Sequence, residues 1–177
     1  MIRLFAISGS LRRFSSNTAL LRAAAILAPP NVEISIYRDL GSLPHFNPDL
    51  EGFEPPSVVD FRSQLRIADG VLIASPEYAH GITGVMKNAL DWVVGSGEFV
   101  YKPVALFNAS LRAVHAQESL KEVLKTMDAH VVLEASKTIP LPNNKLDEAA
   151  IIAHPEFSSL LRIAITAFVH NLKPKVP

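Results

Sequence analysis

The sequence predicts a doubly wound α/β fold: a five-stranded parallel sheet with helices on both faces, a three-layer sandwich. Three observations predict it. Five short apolar runs (Ile2–Ser8, Val32–Tyr37, Val71–Ala74, Pro103–Asn108 and His130–Ala135) alternate with segments of helical period, so the strands run parallel and the crossovers right-handed. Ile2–Ser8 and Val71–Ala74 are apolar almost throughout, as strands buried on both faces are. And 177 residues, 49% hydrophobic and 19% charged, suit one compact domain over residues 1–177 rather than a disordered chain.

Charge and cysteine usage narrow the function. Lysine plus arginine equals aspartate plus glutamate at 17 each, a net charge of zero, which points neither to nucleic acid nor to an anionic membrane. With no cysteine there is no disulfide, thiolate nucleophile, cysteine-ligated iron–sulfur cluster or thiolate zinc site. The N-terminal apolar run is too short for a signal peptide. Leu160–Val169 carries Arg162 and is too short to span a bilayer. The expectation is a soluble, cytoplasmic protein.

In order along the chain, Ile2–Ser8 is strand one. A polar turn, residues 9–17, leads into a helix from about Ser16 to Ala28, with Leu20, Leu21, Ala24 and Leu27 on its apolar face and Pro29-Pro30 as its stop. Val32–Tyr37 alternates as strand two. Residues 38–56 hold four prolines and two glycines and read as a long surface connection able to wall a site. A helix from about Ser57 to Ala68 buries Val58, Phe61, Leu65 and either Ile67 or Ala68. Strand three, Val71–Ala74, is ended by Pro76, which lacks an amide hydrogen. The next helix runs through Val85, Ala89 and Val93 to a glycine stop near Gly95-Ser96-Gly97. Strand four, Pro103–Asn108, precedes a helix from about Val114 to Met127. Strand five is His130–Ala135, a loop covers residues 140–144, and a last helical segment begins near Asp147 and resumes after Pro155.

Five strands of this kind favour the flavodoxin-like order 2-1-3-4-5, whose switch point lies between strands one and three. The loops after those strands are the two most unusual in the chain. The first offers Ser10, Ser15, Ser16 and Asn17 as donors, Arg12 and Arg13 as charge, and the free amides of a helix start, a set that suits a phosphate. The same residues also suit an ordinary helix cap. The loop is neither a Walker loop nor a dinucleotide fingerprint. Strand one lacks the acidic cluster of a phospho-receiver, and a low-molecular-weight phosphatase would need a loop cysteine. The second loop, Pro76 to Gly84, offers backbone amides to the edge of a flat heteroaromatic ring, with Tyr78 and His80 beside it; it equally reads as a plain connection. Glu77 suits the site, a helix cap, or an arginine across a subunit contact. The remaining histidines lack ligand spacing, and no metal is assigned.

Gly9-Ser10-Leu11-Arg12 with Ser15 and Asn17, and Ser75-Pro76-Glu77-Tyr78 followed by Gly84-Val85-Met86-Lys87-Asn88-Ala89-Leu90-Asp91-Trp92, together resemble the NADPH-dependent FMN reductase family, the flavodoxin-like quinone, azo-dye and chromate reductases included. The resemblance covers about the first 135 residues. It implies that Ser10, Arg12, Ser15 and Asn17, with Ser16 beside them, hold the FMN phosphate. Pro76, Glu77, Tyr78, Ala79 and His80 would line the ribityl chain and ring, largely through backbone, and Ser110 would fall in the third flavin loop. The implied activity is hydride transfer from NADPH or NADH to flavin N5, then electron transfer to a small acceptor: free flavin, quinone, azo compound or metal oxyanion. No protein acid or base is required for it. Three departures stand out: Ala79 where many relatives carry asparagine, His80 where tyrosine is frequent, and Ser110-Leu111-Arg112-Ala113 where paired glycines are common. Two other readings remain at this stage, an FMN-binding electron carrier of flavodoxin type and a non-catalytic module of the same fold. Zero net charge disfavours the carrier. Val85, Met86, Ala89, Leu90, Trp92, Val93 and Val94 give the third helix more apolar surface than one sheet face needs, and with the resemblance this implies a homodimer or homotetramer.

Overall fold

The computed structural model describes residues 1–142 and 146–172. Its strands are β1 (Ile2–Ser8), β2 (Val32–Ile36), β3 (Gly70–Ala74), β4 (Pro103–Asn108), β5 (His130–Val131) and β6 (Lys137–Thr138). Its helices are α1 (Ser16–Leu27), α2 (Pro56–Ile67), α3 (Gly84–Asp91), α4 (Val114–Thr126), α5 (Glu148–Ala153) and α6 (Pro155–His170). All strand pairs are parallel, in the order β2-β1-β3-β4-β5, with β6 also on β4. The expected flavodoxin-like order is the observed one.

Side-chain alternation divides each central strand between two cores. Leu4, Ala6, Leu72, Ala74, Ala105 and Phe107 pack with α1, α5 and α6. Phe5, Ile7, Val71, Ile73, Val104 and Leu106 pack with α2, α3 and α4. A strand that feeds both cores has no polar face, which is why β3, and β1 between Arg3 and Ser8, read as apolar runs. On α1 the expected Leu20, Leu21, Ala24 and Leu27 are buried; on α2 it is Ala68, just past the helix end, that turns inward, while Ile67 faces out.

Four expectations need correction. Strand five does not run unbroken to Ala135. After β5 the chain makes a helical turn, in which the Ser136 amide donates to the Val132 carbonyl at 3.0 Å, and it rejoins β4 as β6. The gap in the ladder is filled by a side chain: the Leu106 amide donates to Ser136 Oγ at 3.0 Å. A buried amide must find an acceptor, and here a hydroxyl replaces the missing backbone carbonyl. Second, α3 ends at Asp91 and continues only as turns; of the glycines after it, Gly97 takes a left-handed conformation, φ +81°.

Third, the connection from Arg38 to Pro55 does not wall the cleft described below; it is fastened to α3. Asn88 Oδ1 accepts from the Phe46 amide at 2.8 Å, its Nδ2 donates to the Pro44 carbonyl at 3.0 Å, and Trp92 Nε1 donates to the same carbonyl at 2.7 Å. Fourth, and in consequence, the surplus apolar surface expected on α3 is taken up inside the chain. Met86, Ala89, Leu90, Trp92 and Val93 are all buried with Leu40 and Leu43, leaving Val85 partly buried and Val94 exposed. Asn143 and Asn144, expected in the loop before α5, lie outside the described residues.

The segment between α3 and β4 is held by a buried carboxylate. Burial pushes Glu98 up, but bonds from Ser96, Arg62, its own backbone and Arg66 outweigh burial and hold it below the ordinary carboxylate value. No helix among the described residues is long and apolar enough to cross a membrane.

Candidate functional site

The loops that follow β1, β3 and β4 come together at the carboxyl edge of the sheet. The first two touch. The Gly9 amide donates to the Ala74 carbonyl at 2.9 Å, and a Cβ on Gly9 would lie 2.2 Å from Ser75 Oγ and 3.2 Å from Ser75 Cα. Only glycine lets the first loop pass this close to β3. Thr83 then ties the start of α3 to that loop: its buried Oγ1 donates to the Gly9 carbonyl at 2.8 Å and accepts from the Met86 amide at 3.3 Å as the helix cap.

The first loop feeds α1. Ser15 is its N-cap, its Oγ accepting from the Thr18 amide at 3.4 Å, and Ser8 and Thr18 share a hydroxyl–hydroxyl bond of 2.7 Å beneath. The first turn of α1 carries no acidic residue, so nothing of the helix's own offsets its positive end. Arg13 lies over the Phe14 ring, 5.3 Å from its centroid, whereas Arg12 makes no ion pair among the described residues. Asn17 is buried at 7% exposure, and its Oδ1 has no hydrogen-bond partner among the described residues. An unsatisfied buried amide oxygen costs about 1–3 kcal/mol. Asn17 also lines the cleft between the loops.

The second loop closes on itself. The Tyr78 amide donates to the Gly81 carbonyl at 3.1 Å and the Gly81 amide to the Tyr78 carbonyl at 3.0 Å, with Ala79 (φ +50°) and His80 (φ +57°) left-handed between them. This is the geometry of a tight I′ hairpin turn. The loop also docks on α4, whose N-cap residue, Ala113, provides no side-chain cap. Glu77 supplies it from outside: a carboxylate oxygen accepts from the Ala116 amide at 2.8 Å. The His80 and His115 rings stack alongside, with centroids 4.4 Å apart. Of the roles the sequence left open for Glu77, the structure shows a helix cap beside a place on the cleft wall.

The third loop is ordered by Asn108, whose Oδ1 accepts from the Ser110 amide at 3.0 Å and whose Nδ2 donates to the Ala113 carbonyl at 3.4 Å. Ser110 Oγ accepts from the Arg112 amide at 3.1 Å. No residue from Ser110 to Ala113 has a positive φ, so this backbone path does not depend on glycine.

Between the three loops lies a cleft of about 380 Å³, in the size range of cofactor sites. Ser10, Arg12, Ser15, Ser16 and Asn17 line it from the first loop, Pro76, Glu77 and Tyr78 from the second, Ser110 from the third. Ala79 and His80 do not line it; they sit at the exposed tip of the turn. Sequence reasoning missed Phe14, Asn108 and Leu141 on its walls, and Thr83 behind them. Asn108 had a signal, a polar residue at the carboxyl end of a buried strand. Leu141 arrives from beyond β6 and had none. An adjoining hollow of about 470 Å³ shares Arg12 and Tyr78 and is otherwise lined by Gly9, Leu11, Thr83, Gly84 and Val85.

Chemically, the first loop is a donor set for a phosphate ester: hydroxyls, the Arg12 guanidinium and a helix start with no acid in its first turn. A ribityl hydroxyl is the kind of donor Asn17 Oδ1 lacks, and Pro76 to Tyr78 offers a flat wall for a ring. The residues present fit FMN.

The model of the NADPH-dependent FMN reductase family matches residues 2–141. The chain is 39% identical to the NAD(P)H-dependent FMN reductase PA1204 of Pseudomonas aeruginosa, with 82% of each chain covered. It is 37% identical to the NADPH:quinone oxidoreductase of Arabidopsis thaliana over 99% of this chain and 95% of that one. Among solved structures it resembles FerB, a flavoenzyme NAD(P)H:(acceptor) oxidoreductase from Paracoccus denitrificans, with a TM-score of 0.78, 27% identity and 96% of each chain covered. With three loops assembled on a flavodoxin-like sheet and these likenesses along its length, the chain belongs to the NADPH-dependent FMN reductase family and is a flavin-dependent NAD(P)H oxidoreductase.

Proposed function

We propose that the chain works as a single FMN-binding domain that passes electrons from a nicotinamide dinucleotide to a quinone-class acceptor. Ser10, Arg12, Ser15 and Ser16, with Asn17 beside them, hold the flavin phosphate; Asn17 Oδ1 accepts from a ribityl hydroxyl, Pro76, Glu77 and Tyr78 line the ribityl chain and ring, and Ser110 the far side. The observation that carries this reading is the acid-free start of α1 on the cleft, with Arg12 making no ion pair and Asn17 Oδ1 no hydrogen bond among the described residues. Bound FMN supplies the redox chemistry, accepting two electrons and giving them up again.

The protein's own part is positional. Arg12 and the helix start neutralise a phosphate dianion. Glu77, held at the Ala116 amide, keeps the second loop against α4 and so fixes one wall. Thr83 and Gly9 keep the first and second loops in register with each other. Ala79 and His80 act by shaping the turn that presents Tyr78 rather than by lining the cleft. The hollow shared by Arg12 and Tyr78 is the place for an acceptor to enter.

The names of several relatives, quinone reductases and NADPH:quinone oxidoreductases, support a quinone, with free flavin, azo compounds and metal oxyanions as the further range. Exposed Leu11 and Tyr78 beside partly buried Val85 support a homodimer closing over that hollow, and a chain without cysteine suits a cytoplasmic setting.

The test is spectral and kinetic. Purified protein with FMN is expected to show a flavin spectrum that NADPH bleaches and a quinone restores, with the parallel-line kinetics of a ping-pong cycle. A protein that takes up no FMN contradicts the reading, and a yellow protein that neither NADPH nor NADH reduces makes it a carrier instead.

A further inference from the structure

We propose that Arg112 selects NADPH over NADH by binding the 2′-phosphate of the dinucleotide; the proposal rests on the flavin reading of the cleft. Two arginines line that cleft from different loops, Arg12 after β1 and Arg112 after β4, with β3 between those strands in the sheet. The site therefore offers two separate anion-binding centres. The first, with hydroxyls, amides and a helix start around it, suits a phosphate held for long periods. The second is a guanidinium at the exposed rim, with no ion pair among the described residues. It suits a phosphate that arrives and leaves with each turnover.

Three further facts turn this from a free charge into a selector. Arg112 stands on a fixed base: its amide donates to Ser110 Oγ at 3.1 Å, and Asn108 pins the loop from below. Its planar fork matches a phosphate dianion by two parallel hydrogen bonds. And the acid in the cleft lining, Glu77, has its carboxylate committed to the Ala116 amide. In Rossmann dinucleotide sites a carboxylate meets the ribose 2′-hydroxyl of NAD and an arginine the 2′-phosphate of NADP, and the charge logic is the same for any site that meets that phosphate. Here the carboxylate is occupied and the arginine makes no ion pair among the described residues.

The experiment compares NADPH and NADH oxidation by the FMN-loaded wild type, Arg112→Ala and Arg112→Lys, with FMN titration of each and adenosine 2′,5′-bisphosphate as a competing probe. The wild type is expected to prefer NADPH. Arg112→Ala should lower the NADPH-to-NADH ratio of kcat/KM by about 10- to 100-fold, through KM for NADPH, and weaken inhibition by the bisphosphate by a similar factor. Arg112→Lys should keep part of the preference, since charge survives and the fork does not. FMN affinity should stay within about twofold throughout. A wild type without preference, an equal loss with both dinucleotides, or a rise in FMN Kd on removing Arg112 each overturns the proposal alone. A wild type that takes up no FMN and oxidises neither dinucleotide overturns the flavin reading and this proposal together.

Discussion

Ala79 shows how a residue can be picked out from sequence while its backbone conformation stays hidden. Sequence reading set Ala79 and His80 beside the ring; the structure puts them at the tip of a turn, both left-handed. Such turns announce themselves as Asn-Gly or Asp-Gly, and Tyr78-Ala79-His80-Gly81 carries no such signal. An alanine pays a steric penalty at positive φ that asparagine largely escapes. Ala79→Asn is therefore expected to raise unfolding stability by about 0.5–1 kcal/mol, read as a higher denaturant midpoint at unchanged slope. Asn17 is the opposite case. Its place in the loop was legible from the serine and arginine pattern around it, but its burial without a partner was not, because that depends on how α1 lies against the sheet.

At the scale of elements, the site is a set of loops that brace one another. The first loop could be read as a phosphate candidate from composition because donors, charge and a helix start are adjacent in sequence. The brace between the second loop and α4 could not, because Glu77 and Ala116 are far apart in the chain and meet only through the fold. Removing that cap tests whether the brace matters to the cleft. Glu77→Ala should cost about 1 kcal/mol of stability, the usual worth of an N-cap, and should also weaken FMN binding, measured by fluorescence titration. A stability loss with unchanged FMN affinity would make the cap purely structural. The break in the fifth strand escaped notice for a related reason: Val131, Val132 and Leu133 look continuous, and only the Ser136 hydroxyl, at the Leu106 amide, shows where the ladder is patched. The third helix was read correctly as apolar but not for its partner, since nothing local says that the connection after β2 folds back onto Trp92 and Asn88.

For the whole molecule, topology carried the inference furthest. Alternation of strands and helices fixes a parallel sheet, the parallel sheet fixes where its loops gather, and the switch point between β1 and β3 brings the two peculiar loops together. The central claim is that the start of α1, with Arg12, grips a flavin by its phosphate. FMN and riboflavin differ by that phosphate alone, so the direct measurement is titration of both against wild type and Arg12→Ala. Arg12→Ala should bind FMN about 10- to 100-fold more weakly, bind riboflavin as the wild type does, and melt at the same temperature without ligand. Equal losses for the two ligands, or no loss for FMN, would contradict it.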